Sequence, residues 1–469
     1  MRSPFHRRLA ILLAAAFAAV FLADRAVWDA PSPGLGLVVA EVGLLALALL
    51  VRNDAISTVA GRWGLAIAAI AIGGLVIDPG PLGLLLASGS CLALAAGCRD
   101  GVAAAVLPSL GRICLGGPRL VLDSVIVARV ADRRPRRCGL TWVLRWLGPL
   151  AIAVIFLVLF AIGNPVISLH LGQIGDWLAK LDLPPIERMV WWTALFAIAW
   201  AVVRPFRWRV PRAARVEDAA VADNAAGVAR CLVAANAVFL VQLASDACYL
   251  TGGLALPDGL TYAEYAHRGA YLLVATALLA AAFVVRWFRP GAGAEHDSWA
   301  RWLLGMWMAQ NVLLLVAALW RLDLYIDTYG LTRWRIAAAL WMALVATGLV
   351  LCTWRVWRHH ANRWLVEMNA RAVLGVLLFA AAAPWSPVIG WYNVQHCREA
   401  GGRGPTIDWG YLRELGPTAV PAAAWLARNS RDPAAAATAA PWVAQYEQAL
   451  DQYASDPRSW TLTVWLASR

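Results

Sequence analysis

Residues 236–274 read NAVFLVQLASDACYLTGGLALPDGLTYAEYAHRGAYLLV, and residues 321–336, RLDLYIDTYGLTRWRI, stand between two further apolar runs. A helix needs about 20 apolar residues to cross a bilayer, with a range of roughly 17–25. In lipid, a helix is one of the few structures that satisfies its own backbone polar groups. The polar residues here collect where the apolar runs end, as they would where helices leave the hydrocarbon. The pattern predicts membrane-helix hairpins, and it recurs along the chain. Eleven runs fit, at 9–23, 34–51, 63–77, 81–98, 146–163, 189–206, 228–247, 268–286, 302–320, 336–354 and 372–390. The expected fold is all-α: a polytopic transmembrane helix bundle of about eleven spans with a small helical C-terminal tail.

Composition agrees with this. Of 469 residues, 61% are hydrophobic and 15% charged, against about 45–50% and 25% in soluble proteins. The first run follows MRSPFHRR, as a signal peptide would. Ala23-Asp24-Arg25-Ala26 is a poor cleavage site, however, so the run reads as an uncleaved first helix. Asp78-Pro79-Gly80-Pro81 separates the third and fourth runs as a strong turn signal. The expected organisation is an N-terminal group of four helices (1–98), a basic loop (99–145), seven further helices (146–390) and a helical tail (391–469).

Net charge is +12, but its distribution argues against nucleic acid. The 41 basic residues, all Arg except Lys180, fall in short segments between apolar runs. With the N-terminus in the cytoplasm, 27 lie in inner segments, seven in outer loops and seven in the tail. That asymmetry sets orientation and makes the tail extracytoplasmic. The Arg-rich, Ala-rich composition suggests a bacterial inner (plasma) membrane protein, with the lipid bilayer as its first partner. Segment 128–138, ARVADRRPRRC, would attract anionic headgroups. None of the eight Cys forms a C-x-x-C pair, so no zinc or redox motif is indicated. Cys248 and Cys397 alone would share the outer side, where a disulfide is an option.

Several polar residues stand out. Glu41 lies mid-span in VVAEVGLL, where an ionised carboxylate is costly. It is either a hydrogen-bonded structural group or an ion-coupling one. Gln242 and Asp246 share a helical face, with Asn236 partly aligned. Gln310-Asn311 interrupts the ninth run, and such amides commonly tie helices together. Thr261 and Glu264 match the capping box S/T-x-x-E and so have a structural reading. Asp258, His267 and Arg268 in the same loop have none. Gly330-Leu331-Thr332 repeats Gly259-Leu260-Thr261 before an inward-running helix. Around it lie Arg321, Asp323, Asp327, Arg333 and Arg335 with Tyr325 and Tyr329, a set that would suit a small polar or zwitterionic ligand. Ligand or ion candidates are thus Glu41, Asp246, Asp258, His267, Arg268, Asp323, Asp327 and Arg333. No catalytic residue, metal site or cofactor is indicated. H-E-x-x-H, G-x-S-x-G and the P-loop pattern are all missing from the sequence.

The segment Leu260-Thr261-Tyr262-Ala263-Glu264-Tyr265-Ala266-His267-Arg268-Gly269 resembles the signature of an uncharacterised family of bacterial integral membrane proteins, described as a domain of unknown function. Tyr329-Gly330-Leu331-Thr332 and, in the tail, Tyr411-Leu412…Leu415…Ala419-Val420-Pro421-Ala422 are similar to its later motifs. The similarity runs over roughly 140–465. It implies a multi-pass inner-membrane protein with a short soluble tail, and it brings no established activity or catalytic residue. Function is expected to be that of a membrane sensor, scaffold or envelope accessory, with a membrane or envelope protein as candidate partner and enzymatic activity not favoured. The alternatives are a secondary transporter of a small polar solute, using Glu41 and Asp246, and a membrane enzyme acting on lipid-linked substrates.

Overall fold

The computed structural model describes residues 4–52, 56–96, 184–203, 225–250, 279–280, 282–288, 292–430 and 432–469. Of these, 84% are helical and none is in a strand. The chain divides into two compact units: Met1–Trp208 with Asp456–Trp460, and Arg209–Ser455 with Thr461–Arg469.

The first unit holds α1 (Pro4–Val27), α2 (Leu35–Val51), α3 (Val59–Ile77), α4 (Pro81–Ala96) and α5 (Ile186–Val203). Thr58 starts α3, its hydroxyl accepting from Gly61 N at 3.1 Å. The Asp-Pro-Gly-Pro turn ends that helix and starts α4 at Pro81, a position where a missing N–H costs nothing. Ala16, Leu44, Leu47, Ala48, Leu92 and Val202 form the core. α1 and α2 approach so closely that a Cβ on Gly36 would stand 2.0 Å from the Ala26 carbonyl oxygen.

The start of α2 is finished by the far end of the chain. Leu35 N donates to Trp460 O at 3.0 Å and Gly36 N to Arg458 O at 2.9 Å. Ser459 Oγ donates to Ser32 O at 2.9 Å and accepts from Ser32 N at 3.0 Å. The first amides of a helix have no partner of their own, and here carbonyls of 458–460 supply one. A Cβ on Gly34 would meet Ser459 C at 2.3 Å, so this clasp needs glycine.

The second unit begins with α6 (Ala225–Leu250) and continues through α7 (Gly293–His296), α8 (Ser298–Tyr329), α9 (Arg333–Trp357) and α10 (Asn362–Ala382). Helices at Ala225–Ala244, Ser298–Tyr329, Arg333–Trp357 and Asn362–Ala382 are long and apolar enough to cross a membrane, and Leu35–Val51, Gly61–Ile77 and Pro81–Ala96 are shorter apolar helices. Gly330, at φ +80, ends α8. The Thr332 hydroxyl accepts from Arg335 N and caps α9.

Exposed tryptophans mark the two ends of this hairpin. Trp299 and Trp302 of α8 and Trp354 and Trp357 of α9 lie at one end, Trp320, Trp334 and Trp341 toward the other. Trp302 and Trp357 meet edge to face at 5.8 Å. At about 1.5 Å per residue, Trp299 to Trp320 and Trp334 to Trp354 each cover roughly 30 Å, the thickness of a hydrocarbon core. Interfacial aromatic belts have this spacing.

One expectation is corrected. The run 372–390 is not one helix: α10 ends at Ala382, and α11 (Trp385–His396) begins after Pro384. Ala383 is extended, at φ −80 and ψ 135, as steric pressure from the following proline requires. The tail also has a core of its own. α11 packs with α12 (Trp409–Glu414), α13 (Val420–Asn429), α14 (Pro433–Ser455) and α15 (Leu462–Ala467) around Ile389, Ala423, Leu426 and Trp442. Trp442, 3% exposed, is part of that core. The runs 146–163 and most of 268–286, the basic loop 99–145 and the amphipathic stretch 167–181 lie outside the described residues.

Candidate functional site

The turn joining α8 to α9 is held against the tail by specific bonds. Asn393 of α11 clasps the Leu331 peptide: its Oδ1 accepts from Leu331 N at 2.6 Å, and its Nδ2 donates to Leu331 O at 2.9 Å. Tyr411 Oη accepts from Arg333 N at 2.9 Å. Asp408 caps α12 by accepting from Tyr411 N at 3.0 Å, which fixes that tyrosine's helix. The Arg335 guanidinium donates to the Tyr329 carbonyl at 3.0 Å and to that of Gly330, and it stacks 4.5 Å from the Tyr325 ring centroid.

Opposite this turn runs the glycine-rich loop 397–408. Gly402 N and Gly404 N donate to Cys397 O and His396 O, both at 2.9 Å. A Cβ on Gly402 would stand 2.2 Å from the His396 carbonyl oxygen, so the loop closes onto the end of α11 only without a side chain there. Both Glu399 carboxylate oxygens accept from Ile407 N at 3.1 Å and pin the loop's other end.

Between turn and loop lies a cavity of about 820 Å³. Its walls include Asp327, Tyr329, Arg335, Tyr392, His396, Arg398, Arg403 and Tyr411. His396 Nδ1 meets the Tyr392 carbonyl at 2.8 Å, so that nitrogen carries the hydrogen, and the two rings stack at 4.2 Å. Burial, then the carboxylates of Asp327 and Asp323, raise the Tyr392 pKa above 10.0, which keeps it a neutral phenol. The cavity's carboxylates are Asp327 and the capping Asp408, and its permanent cations are three arginines. The arrangement can hold a ligand of headgroup size with an anionic end.

Of the candidates named from sequence, Asp327 lines this cavity and Asp323 stands exposed one turn earlier in α8. Arg333 turns away and donates to Ser386 Oγ at 2.6 Å. Glu41 belongs to the first unit, 4% exposed, and accepts from Ser88 Oγ at 2.6 Å. Asp246 lies on α6, but its side chain, like all of Asp258, Thr261, Glu264, His267 and Arg268, falls outside the described residues. Among the described residues no group of His, Cys, Asp and Glu could hold a metal. Cys397, named as a disulfide partner, is a free thiol donating to Val394 O at 3.1 Å. Asn236 and Gln310 tie α6 to α8: Asn236 Nδ2 donates to Leu303 O at 3.0 Å, and Gln310 Nε2 to Asn236 O at 3.3 Å.

Two polar constellations escaped the sequence reading. In the first unit, Arg188 grips Asp24 with both arms of its fork, at 2.7 and 3.2 Å, and lies over the Trp28 and Trp192 rings. In the second, Arg355 is fully buried at the end of α9, donating to His360 O at 3.0 Å and to Phe288 O. Glu295 is 2% exposed beside it, with His359 Nδ1 at 3.5 Å. No local motif announces either group, because each partner comes from a distant or irregular segment.

No curated protein and no solved structure matches the chain. A family described as a domain of unknown function (DUF4153) matches residues 7–426. The match starts far earlier than the 140 expected from the signature motifs, and it ends before the clasp at 458–460. It covers the first unit's five helices and the whole cavity wall, so the chain belongs to the DUF4153 family of domains of unknown function.

Proposed function

We propose that this protein is a bacterial inner-membrane recognition component, a sensor or envelope accessory, and that it reads a ligand in the cleft between the α8–α9 turn and the tail. About eleven crossings with a cytoplasmic N-terminus put this cleft on the outer face. The supporting observation is the cleft itself: about 820 Å³, within the range of roughly 300–1,000 Å³ typical of ligand sites. Its walls are fixed by Asn393, Tyr411 and Arg335, which bond backbone rather than one another. A ligand entering there meets a preformed surface, which lowers the entropic cost of binding.

The transporter reading draws less support. Glu41 Oε1 takes the Ser88 hydroxyl, a bond that joins α2 to α4, while its buried Oε2 has no partner among the described residues. The enzyme reading lacks a nucleophile–base pair among the described residues of the cleft.

Thiol labelling tests the recognition reading. Thr406 is exposed and lines the cleft. In Thr406→Cys, a membrane-impermeant maleimide added from outside should modify position 406, and an extract of native envelope should shield it. Labelling only after the membrane is opened would place the cleft on the other face. Labelling that no envelope fraction shields would remove the recognition role.

A further inference from the structure

We infer that the cleft is a binding site for an anionic phosphate ester of a small polyol, presented either as a lipid headgroup or as a free molecule. This rests on the recognition reading above and names its ligand class.

The charge balance of the walls carries the argument. Arg335, Arg398 and Arg403 line one cavity with Asp327 and Asp408. Asp408 is committed to the start of α12. Among the described residues, none of the three arginines is paired with a carboxylate. Arg335 is anchored by two carbonyls and a tyrosine ring. Arg398 spends only its Nε, on Gly404 O at 3.1 Å, which aims the guanidinium and leaves its terminal nitrogens available. The Arg403 side chain makes no hydrogen bond or ion pair with any described residue, although the loop around it is pinned on both sides. A forked guanidinium matches phosphate oxygens in pairs. Three arginines against two aspartates leave an excess of positive charge in a concave site, which raises the local concentration of anions.

The rest of the cavity is too large for inorganic phosphate alone. Tyr329, Tyr392 and Tyr411 offer ring faces and phenols, and Asp327 an acceptor, which suit the hydroxyls of a polyol. The surrounding chain favours an amphiphilic source. Leu324 and Trp334, 41% and 86% exposed, flank the turn at the same end as the Trp320 and Trp341 belt.

The test uses the full chain. In phosphatidylcholine nanodiscs, glycerol phosphate is titrated by equilibrium dialysis. In parallel, delipidated protein in detergent is offered phosphatidylglycerol or phosphatidylcholine, and bound lipid is counted by mass spectrometry. Saturable binding is expected in at least one arm, with phosphatidylglycerol preferred over phosphatidylcholine. Arg403→Gln and Arg398→Gln should each weaken it by about tenfold or more without moving the melting temperature, as the loss of one charge-assisted pair predicts. Binding of glycerol phosphate identifies a free ester as sufficient, whereas binding of phosphatidylglycerol alone identifies the headgroup. No saturable binding in either arm, or binding indifferent to both substitutions, overturns the inference. If envelope extract still shields the thiol of the Thr406→Cys variant in that event, the recognition reading survives and only the phosphate assignment falls.

Discussion

In the first unit polar side chains are spent on one another and on backbone. Glu41 takes the Ser88 hydroxyl, Asp24 takes both arms of Arg188, and Ser32 and Ser459 exchange hydrogen bonds across nearly the whole length of the sequence. In the second unit the cleft does the opposite. Asn393, Tyr411 and Glu399 hold its backbone, while the exposed guanidiniums of Arg398 and Arg403 keep donors that no described residue takes up. A buried polar group with its partner in place is a fastening, whereas an exposed one that no neighbour takes up is free for water or a ligand. By that criterion Glu41, the most conspicuous residue in the sequence, is a fastening through one oxygen only: Oε1 takes the Ser88 hydroxyl, and the buried Oε2 has no partner among the described residues. Arg403, in an ordinary-looking loop, lines the cleft with a guanidinium that no described residue takes up.

The contrast can be broken at its strongest point first. Gly36→Val should be the most damaging change, because its Cβ would overlap the Ala26 carbonyl and main chain cannot step aside. A loss of about 3 kcal/mol is expected, read as a large fall in melting temperature in detergent. An undisturbed melt would mean that α1 and α2 do not meet this closely.

Arg188→Met comes next, with a smaller fall in melting temperature, since it strands a carboxylate that is only 5% exposed. This loss should depend on pH. Burial opposes the charge on Asp24, but Arg188, Trp192 and Arg25 outweigh it and hold the carboxyl below its ordinary 3.8. The pair therefore stabilises fully above pH 3.8 and loses its effect as pH falls through the lower folded value. Melting curves of wild type and variant should converge in that acid window, and a gap that stays constant would show that the pair is not responsible.

Asn393→Ala should cost about 1–2 kcal/mol by releasing the Leu331 peptide. It should also make the turn 329–333 exchange its amide hydrogens faster while the first unit's pattern stays the same. Glu41→Gln should have the smallest effect, under about 1 kcal/mol, because the amide keeps an acceptor for Ser88. If that conservative change abolished a cellular phenotype while leaving stability intact, Glu41 would be a working group and the contrast between the units would fail.

Much of the helical framework was legible along the chain. Thr58, Gly330 and Thr332 sit at helix ends where local rules place them, and the Asp78–Pro81 turn splits α3 from α4. Pro384 was equally visible, yet hydropathy alone ran through it, and so α11 was joined to the preceding apolar run. Half of the cleft was visible too. Asp327, Tyr329 and Arg335 stand out as paired charges and tyrosines, while Asn393, His396 and Arg403 give no signal, because a glycine-rich loop after a short helix has many uses.

The sequence by itself determined the class of the molecule: all-helical, apolar enough for a membrane, with polar residues concentrated at helix ends. Hydrophobic period, run length and caps depend on residues within a few positions of one another. Only the tertiary structure decided which polar residues are consumed and which remain. That depends on partners such as Ser32 and Ser459, or Leu331 and Asn393, which are 427 and 62 residues apart. No local pattern encodes such a meeting. The stretch of turn and tyrosines from Asp327 to Arg335 becomes one wall of a cleft because the tail folds against it.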